Sequence, residues 1–276
     1  MTTTQHQTRT RHGAGLSGRE VRRLVDIVLA ADAEQRQIIA LSQLIPELAR
    51  EDARVVRDEL IRRREASGDA SAAIFVLDGG EPILAGVGAI ADGEVSVPAG
   101  ARGLTVRAVG GVRLSDGALR TLLHESQRPT PEAASVRIGL AVHRIPFAQD
   151  GGGADDLVAV NGGLVGLALA APGADYVIRA DGTVIASGAV PTEADLWKHA
   201  CDAVLEALER SALLRALCSM HRQHEGGFPD LVLTTALSVA IDVAAGGAIE
   251  LETTTGRCAA VAVPAERTPI LMGDPE

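Results

Sequence analysis

Apolar residues recur every three to four positions in the first quarter of the chain, which is typical of amphipathic helices. Ser17 and Glu20 form an S-x-x-E capping box that predicts where the first helix begins. Pro46 suits the first turn of a later helix, and Ser67-Gly68 predicts its end. The predicted helices carry their apolar faces over Val21–Leu29, Ile38–Ile45 and Leu48–Ile61. Arg62, Arg63 and Arg64 near the last helix end suit the helix dipole without any ligand.

From residue 70 onward the apolar runs become short and are bounded by Gly, Pro and Asp, a pattern that predicts strands. Two hairpins are predicted, Ala73–Leu77 with Ile83–Val87 and Tyr176–Ala180 with Thr183–Ala186. Further strands are predicted over Leu104–Val109, Val136–Val142, Leu237–Val243, Ala248–Glu252 and Ala259–Val263. Helices are predicted over Ser115–Glu125 and Glu193–Met220. The fold class is therefore mixed α/β, with N-terminal helices followed by a mixed-sheet α/β body containing hairpins and a long helix.

These elements predict a domain organisation. We expect a disordered tail over residues 1–15, a helical leader over 16–68, an α/β domain over 70–265 and a second tail over 266–276. A segment of about 128–170, with three consecutive glycines, is predicted to be an insertion. The segments Ile74–Val87 and Val177–Val190 leave open an internal duplication, because each is a hairpin.

Charge and composition exclude several function classes. With 36 acidic and 26 basic residues the net charge is −10, so nucleic acid is not an expected partner. Aromatic residues make up 2% of the chain, too few for a base-stacking platform. The apolar stretch Leu157–Ala174 is broken by Asn161 and by glycines, and it predicts strands rather than a membrane span. We predict a cytoplasmic protein that does not bind membranes.

The candidate nucleophiles and metal ligands are few. Lys198 is the only lysine and has no glycine-rich loop before it, which argues against Schiff-base or P-loop chemistry. Cys201 and the other two cysteines are predicted to be reduced thiols. Asp155-Asp156 is interpreted as a solvated pair in a glycine-rich loop.

A polar cluster near the end of the long predicted helix is a candidate zinc site. It comprises Cys218, His221, His224 and Glu225, with His199 and Cys201 upstream. Thiolate and imidazole suit zinc, but the spacing matches no common zinc motif. We favour the alternative that these residues end the helix before Gly226-Gly227.

Four segments, taken in order, resemble the nucleotide-binding domain of diadenylate cyclases, which join two ATP molecules into cyclic di-AMP. The helix ending near Arg64 and the strand Ala72–Val76 are similar to the first elements of that domain. Gly110-Gly111 and the residues after it resemble a glycine turn into a helix. Pro172-Gly173-Ala174 and the following hairpin resemble a D-G-A motif, and Thr234–Ile241 resembles T-D-A-L with its strand.

The resemblance implies a nucleotide site, with ATP or a related nucleotide as ligand. The residues at the matching positions are Gly173, Ala174, Arg222, His224, Thr234 and Thr235. Pro172 replaces the metal-binding aspartate of the D-G-A motif, and Gln223 and Glu225 replace two phosphate-binding arginines. These departures predict a catalytically degenerate nucleotide-binding or sensing module, whose cofactors are unknown.

Two alternatives remain open. In an active diadenylate cyclase, Asp175 would supply the metal carboxylate for Mg or Mn, and His224 would act in catalysis beside Arg222. In a non-enzymatic interaction module with profilin-like or sensor-like units, no small-molecule site is expected. The helical leader is a candidate surface for a homo-oligomer or a protein partner.

Overall fold

The computed structural model describes residues 15–34, 36–46, 48–68, 71–75, 83–86, 89–98, 103–114, 121–122, 125, 128, 130, 134–144, 146–148, 152–210, 232–243 and 247–263. The helices are α1 (Gly18–Ala33), α2 (Leu41–Leu44), α3 (Arg50–Ala66), α4 (Ala154–Ala159) and α5 (Glu193–Arg210). The strands are β1 (Ser71–Phe75), β2 (Ile83–Gly86), β3 (Ile90–Asp92), β4 (Glu94–Pro98), β5 (Leu104–Leu114), β6 (Ala134–Arg144), β7 (Leu164–Ala170), β8 (Asp175–Ala180), β9 (Thr183–Ala189), β10 (Val232–Ala236), β11 (Ile241–Val243), β12 (Ile249–Thr253) and β13 (Arg257–Val263).

The helical leader begins as the sequence predicts. The Ser17 side chain accepts a hydrogen bond from Glu20 N–H, and the Glu20 carboxylate accepts one from Ser17 N–H, so the capping box is formed. Val25 and its apolar neighbours on α1 pack with α3 in one buried cluster that also includes Phe147. The leader is thus joined to the body by apolar burial.

The larger sheet has eight strands in the order β2-β1-β10-β5-β6-β7-β3, with β11 also paired to β5. The β1–β10 and β3–β7 pairs are parallel and the other pairs are antiparallel, so the sheet is mixed. β2 contacts β7 although four strands lie between them in the strand order. The sheet therefore curls until this edge strand approaches β7.

A smaller sheet packs on one face of the larger one. Its five strands have the order β4-β13-β12-β8-β9, with β4 parallel to β13. Apolar side chains from both sheets form one buried cluster, in which Leu140 and Ile178 are fully buried. A second cluster, around Val109 and Leu167, lies on the opposite face of the larger sheet. The mixed α/β fold class is confirmed.

Several predicted elements differ in the structure. Ile38 is in a bridge with Phe147, not in a helix, because its backbone bonds to the segment around Pro146. α3 begins at Arg50, after Pro46 rather than at it. Gly110-Gly111 lies inside β5, where Leu196 of α5 packs so closely that a Cβ on Gly110 would be 2.4 Å from Leu196 Cδ2. Gly110 is therefore a close-packing site, and the pair lies in a strand rather than in a turn into a helix.

Both predicted hairpins and the first part of the predicted long helix are confirmed. β1 and β2 form a hairpin, as do β8 and β9, whose turn residues Asp181 and Gly182 have φ of 47° and 77°. β6 and β7, within the segment 128–170, are inner strands of the larger sheet. α5 covers the first part of the predicted long helix. No helix in the described ranges is both long enough and apolar enough to cross a membrane.

Candidate functional site

A cavity of about 300 Å³ lies between the helical leader and the curled edge of the larger sheet. α1 and α3 form one wall, while β2, the end of β6 and the start of β7 form the other. The lining residues are Val28, Leu29, Asp32, Arg64, Leu84, Ala85, Gly86, Ala89, Arg144, Pro146, Val160, Gly163, Leu164 and Val165. Its volume is at the lower end of the range for small-molecule sites.

The charged residues of the cavity form one cluster. Arg64 Nη2 donates to Asp32 Oδ2 at 2.7 Å, and Arg144 Nη1 lies 3.9 Å from Asp32 Oδ1. Two guanidinium groups therefore lie beside one carboxylate at the cavity wall. Guanidinium groups bind carboxylates, whose planar oxygens match their donors.

Arg144 is the buried member of this cluster. Its side chain is 6% exposed and its Nη2 donates to the carbonyl of Arg36 at 2.5 Å. Because a buried charge is costly without partners, this hydrogen bond and Asp32 together hold the guanidinium at the cavity wall. Arg64 is 30% exposed and lies on the more solvent-accessible side.

Asn161 fixes the strand that borders the cavity. Its amide accepts a hydrogen bond from Leu84 N–H at 3.0 Å and donates one to the Leu84 carbonyl at 2.6 Å. The backbone N–H and carbonyl of Leu84, on edge strand β2, both have a hydrogen-bond partner as a result. Asn161 itself has a φ of 56°, a left-handed conformation that asparagine tolerates better than most residues.

The next two residues are glycines because the space allows nothing larger. Gly162 and Gly163 have φ of 66° and 64°. A Cβ on Gly163 would lie 2.1 Å from the carbonyl oxygen of Arg144, and one on Gly162 would lie 2.2 Å from Ile83 Cδ1. The backbone of this turn therefore packs directly against the end of β6. Arg144, which lines the cavity, is the last residue of that strand.

His143 precedes Arg144 and is 6% exposed. Its Nδ1 lies 3.0 Å from the Gly162 carbonyl. Burial, with a smaller contribution from the charge of Arg107, lowers the pKa of His143 to about 4. The imidazole is neutral at pH 7, and its Nδ1–H donates a hydrogen bond to the Gly162 carbonyl.

The cavity does not provide a divalent-cation site from its described residues. Magnesium and calcium need several oxygen ligands, and Asp32 is the only carboxylate of the lining, already bound by Arg64. Among the parts of the chain that the structure describes, no group of three or more His, Cys, Asp or Glu side chains could hold a metal. The donor set suits an anion rather than a cation.

The residues predicted from sequence lie elsewhere. Gly173 and Ala174 precede β8, and the Ala174 carbonyl accepts from Val190 N–H. Asp175 is the exposed first residue of β8. Thr234 and Thr235 lie in β10 of the other sheet, paired with β5.

Arg222 and His224 lie outside the described residues, as do Cys218, His221 and Glu225. Cys201 is fully buried on α5, where burial raises the pKa of its thiol to about 11, so the thiol is protonated at neutral pH.

The sequence pattern does not predict the cavity residues as a site. The position of Arg64 near a helix end predicts only an interaction with the helix dipole, and Asp32 and Arg144 lie far from it in sequence. The usable signal was Asn161-Gly162-Gly163, three consecutive residue types that tolerate positive φ inside an otherwise apolar stretch. Such a run predicts a turn with positive φ values. In the structure this turn borders the cavity.

The fold is similar to that of 4-oxalocrotonate decarboxylase from Pseudomonas putida G7. Its complex with magnesium and adipate has a TM-score of 0.62 at 18% identity, covering 90% of this chain and 99% of the decarboxylase. Its complex with calcium and acetate gives 0.60, with the same identity and coverage. A 2-hydroxyhepta-2,4-diene-1,7-dioate isomerase from Mycobacterium marinum gives 0.36 at 11% identity, covering 72% of this chain and 77% of the isomerase. No protein-family model and no curated protein matches the sequence.

This fold corrects the predicted resemblance. The diadenylate cyclase assignment, with its cyclic di-AMP chemistry and degenerate nucleotide-sensing module, is wrong, and so is the profilin-like interaction module, because the similarity to the decarboxylase fold spans 90% of the chain. The motifs were misleading because apolar strands and Asp-Gly turns occur in any mixed sheet. Gly110-Gly111, inside β5, shows this most directly.

Proposed function

We propose that this protein binds a small carboxylate in the cavity between the helical leader and the larger sheet. One observation carries the proposal: Arg64 and Arg144 share the single carboxylate of Asp32 at a cavity whose other lining residues are apolar or glycine. A ligand carboxylate would accept hydrogen bonds from these guanidinium donors.

The structurally similar decarboxylase supports a carboxylate ligand. That protein is complexed with magnesium and adipate in one structure and with calcium and acetate in another, and adipate and acetate are both carboxylates. In this chain the described cavity residues lack ligands for such a cation. The positive charge that faces the carboxylate is therefore supplied by arginine side chains.

Isothermal titration calorimetry with hexanoate and adipate, each with and without EDTA, tests the proposal. We expect heat from at least one carboxylate and no effect of EDTA. Arg64→Gln should weaken binding about tenfold or more, because it removes a charged hydrogen-bond donor from the site.

Arg63→Gln is the matched control. Arg63 is the preceding residue of α3, pairs with Asp26 and Glu59, and does not line the cavity. The Arg63→Gln variant should bind the carboxylates with the same affinity as the unmodified protein. Absence of binding for both carboxylates, or equal loss in both variants, would contradict the proposal.

We also propose a cytoplasmic location. Cys201 and Cys258 are free and buried, and burial raises the pKa of the Cys258 thiol to about 12. Unpaired thiols are typical of a reducing compartment. A thiol-reactive label should modify Cys201 and Cys258 in the unfolded protein but not in the folded protein. An intermolecular disulfide in protein isolated from cells would contradict this location.

A further inference from the structure

We infer that the ligand is a monocarboxylate with an apolar tail, in preference to a dicarboxylate. This inference rests on the proposed carboxylate site. Its basis is that the charged lining residues Asp32, Arg64 and Arg144 form a single cluster, and that no other lining residue which the structure describes has a charged side chain.

The remaining lining residues have no charged or polar side chain. Val28 and Leu29 come from α1, while Val160, Leu164 and Val165 come from the turn after α4 and from β7. A methylene chain that leaves the guanidinium groups therefore passes along aliphatic surface. Burial of each methylene group is favourable, so affinity should rise with tail length.

A second carboxylate would meet no cationic side chain among these lining residues. Removing an ionised carboxylate from water without a partner is strongly unfavourable. A dicarboxylate must therefore keep its far end in solvent or lose affinity. The cavity discriminates against this ligand class by the absence of a second charge partner in its described lining.

The cavity of about 300 Å³ is partly open to solvent, so its volume does not restrict the tail to one length. Affinity should therefore continue to rise along the series of acids, because each added methylene group can lie on aliphatic surface.

Isothermal titration of the full chain with butyrate, hexanoate, octanoate and adipate tests this inference. We expect affinity to rise about fourfold per added methylene up to octanoate. Hexanoate and adipate have the same number of carbons, and hexanoate should bind at least tenfold more tightly.

The outcomes separate this inference from the proposal on which it depends. Adipate that binds as tightly as hexanoate, or affinity that does not change with chain length, would overturn the monocarboxylate inference while leaving the carboxylate site intact. No binding by any of the four acids would overturn both.

Discussion

At the scale of single residues, the turn Asn161-Gly162-Gly163 determines how the cavity is formed. Asn161 pairs with the Leu84 backbone on β2, and Gly163 lies against the Arg144 carbonyl at the end of β6. The same three residues thus position two walls of the cavity. Their positive φ values restrict which side chains each position accepts.

Asn161→Gly tests the amide. Glycine adopts the φ of 56° readily, so the change removes the side-chain hydrogen bonds with little backbone strain. We expect a loss of about 3 kcal/mol in the free energy of unfolding, measured by urea denaturation, because two buried backbone groups of Leu84 lose their partners. Asp181→Gly, at the exposed hairpin turn with a φ of 47°, should change stability by less than about 1 kcal/mol. Equal losses would show that the amide pairing is unimportant.

Gly163→Ala and Gly182→Ala form a matched pair. Both glycines have positive φ, of 64° and 77°, but only Gly163 is crowded, while nothing lies within 4 Å of a Cβ on Gly182. Backbone strain alone should cost about 1 kcal/mol for Gly182→Ala. Gly163→Ala should cost at least about 3 kcal/mol in the same urea experiment, since the new methyl group displaces the Arg144 carbonyl. Similar costs for both variants would contradict this packing.

His143 predicts a specific pH dependence of stability. Its folded pKa of about 4 lies below the ordinary value of about 6.5. Between these values the unfolded chain binds more protons, so the stability from the neutral imidazole is present above pH 6.5 and is lost as pH falls towards 4. From pH 7 to pH 5 the protein should lose about 2 kcal/mol more than the His143→Gln variant, measured by urea denaturation at both pH values. Parallel losses would contradict a buried neutral imidazole.

At the scale of elements, the amino-acid sequence predicts structure where the signal is local. The capping box located the start of α1, and Asp181-Gly182 located the β8–β9 turn, because both depend on residues close in sequence. The apolar spacing around Ile38 predicts a helix. In the structure Ile38 instead forms a β-bridge with Phe147, which is distant in sequence. The pair Asp155-Asp156 was interpreted as a solvated loop, whereas it forms the first turn of α4.

Asp156→Ala and Asp155→Ala test this first turn. The Asp156 carboxylate is buried and accepts hydrogen bonds from Ser42 N–H at 2.8 Å, Ser42 Oγ at 2.7 Å and Gly153 N–H at 2.9 Å. Its removal should cost about 3 to 5 kcal/mol, because α2 and α4 lose their polar connection. Asp155 is 36% exposed and pairs with Arg50, so its removal should cost less than about 1 kcal/mol. Thermal and urea unfolding measure the stability loss of each variant. A larger loss for Asp155→Ala than for Asp156→Ala would contradict the prediction.

At the scale of the whole molecule, the assignment of strands to sheets is not available from local pattern. β1 is paired with β10, which comes much later in the chain, and β4 is paired with β13 of the other sheet. Pairings of this kind depend on packing between distant segments. The cavity follows the same rule, since Asp32, Arg64 and Arg144 come from three separate elements. Sequence therefore predicted the fold class and most strands, but not the place where these side chains meet.

The core shared by the two sheets predicts that they unfold together. Ile178 of β8 is fully buried against strands of the larger sheet, and Ile178→Ala should cost about 2 to 5 kcal/mol.

Trp197 is the only tryptophan and lies on α5, which packs on β5 and β10 of the larger sheet. Tryptophan fluorescence therefore monitors the larger sheet, although the substitution is in the smaller one. Urea midpoints from fluorescence and from far-ultraviolet circular dichroism should fall by the same amount, because the two sheets share one hydrophobic cluster. A fluorescence midpoint that stays unchanged while the circular dichroism midpoint falls would show that the sheets unfold independently.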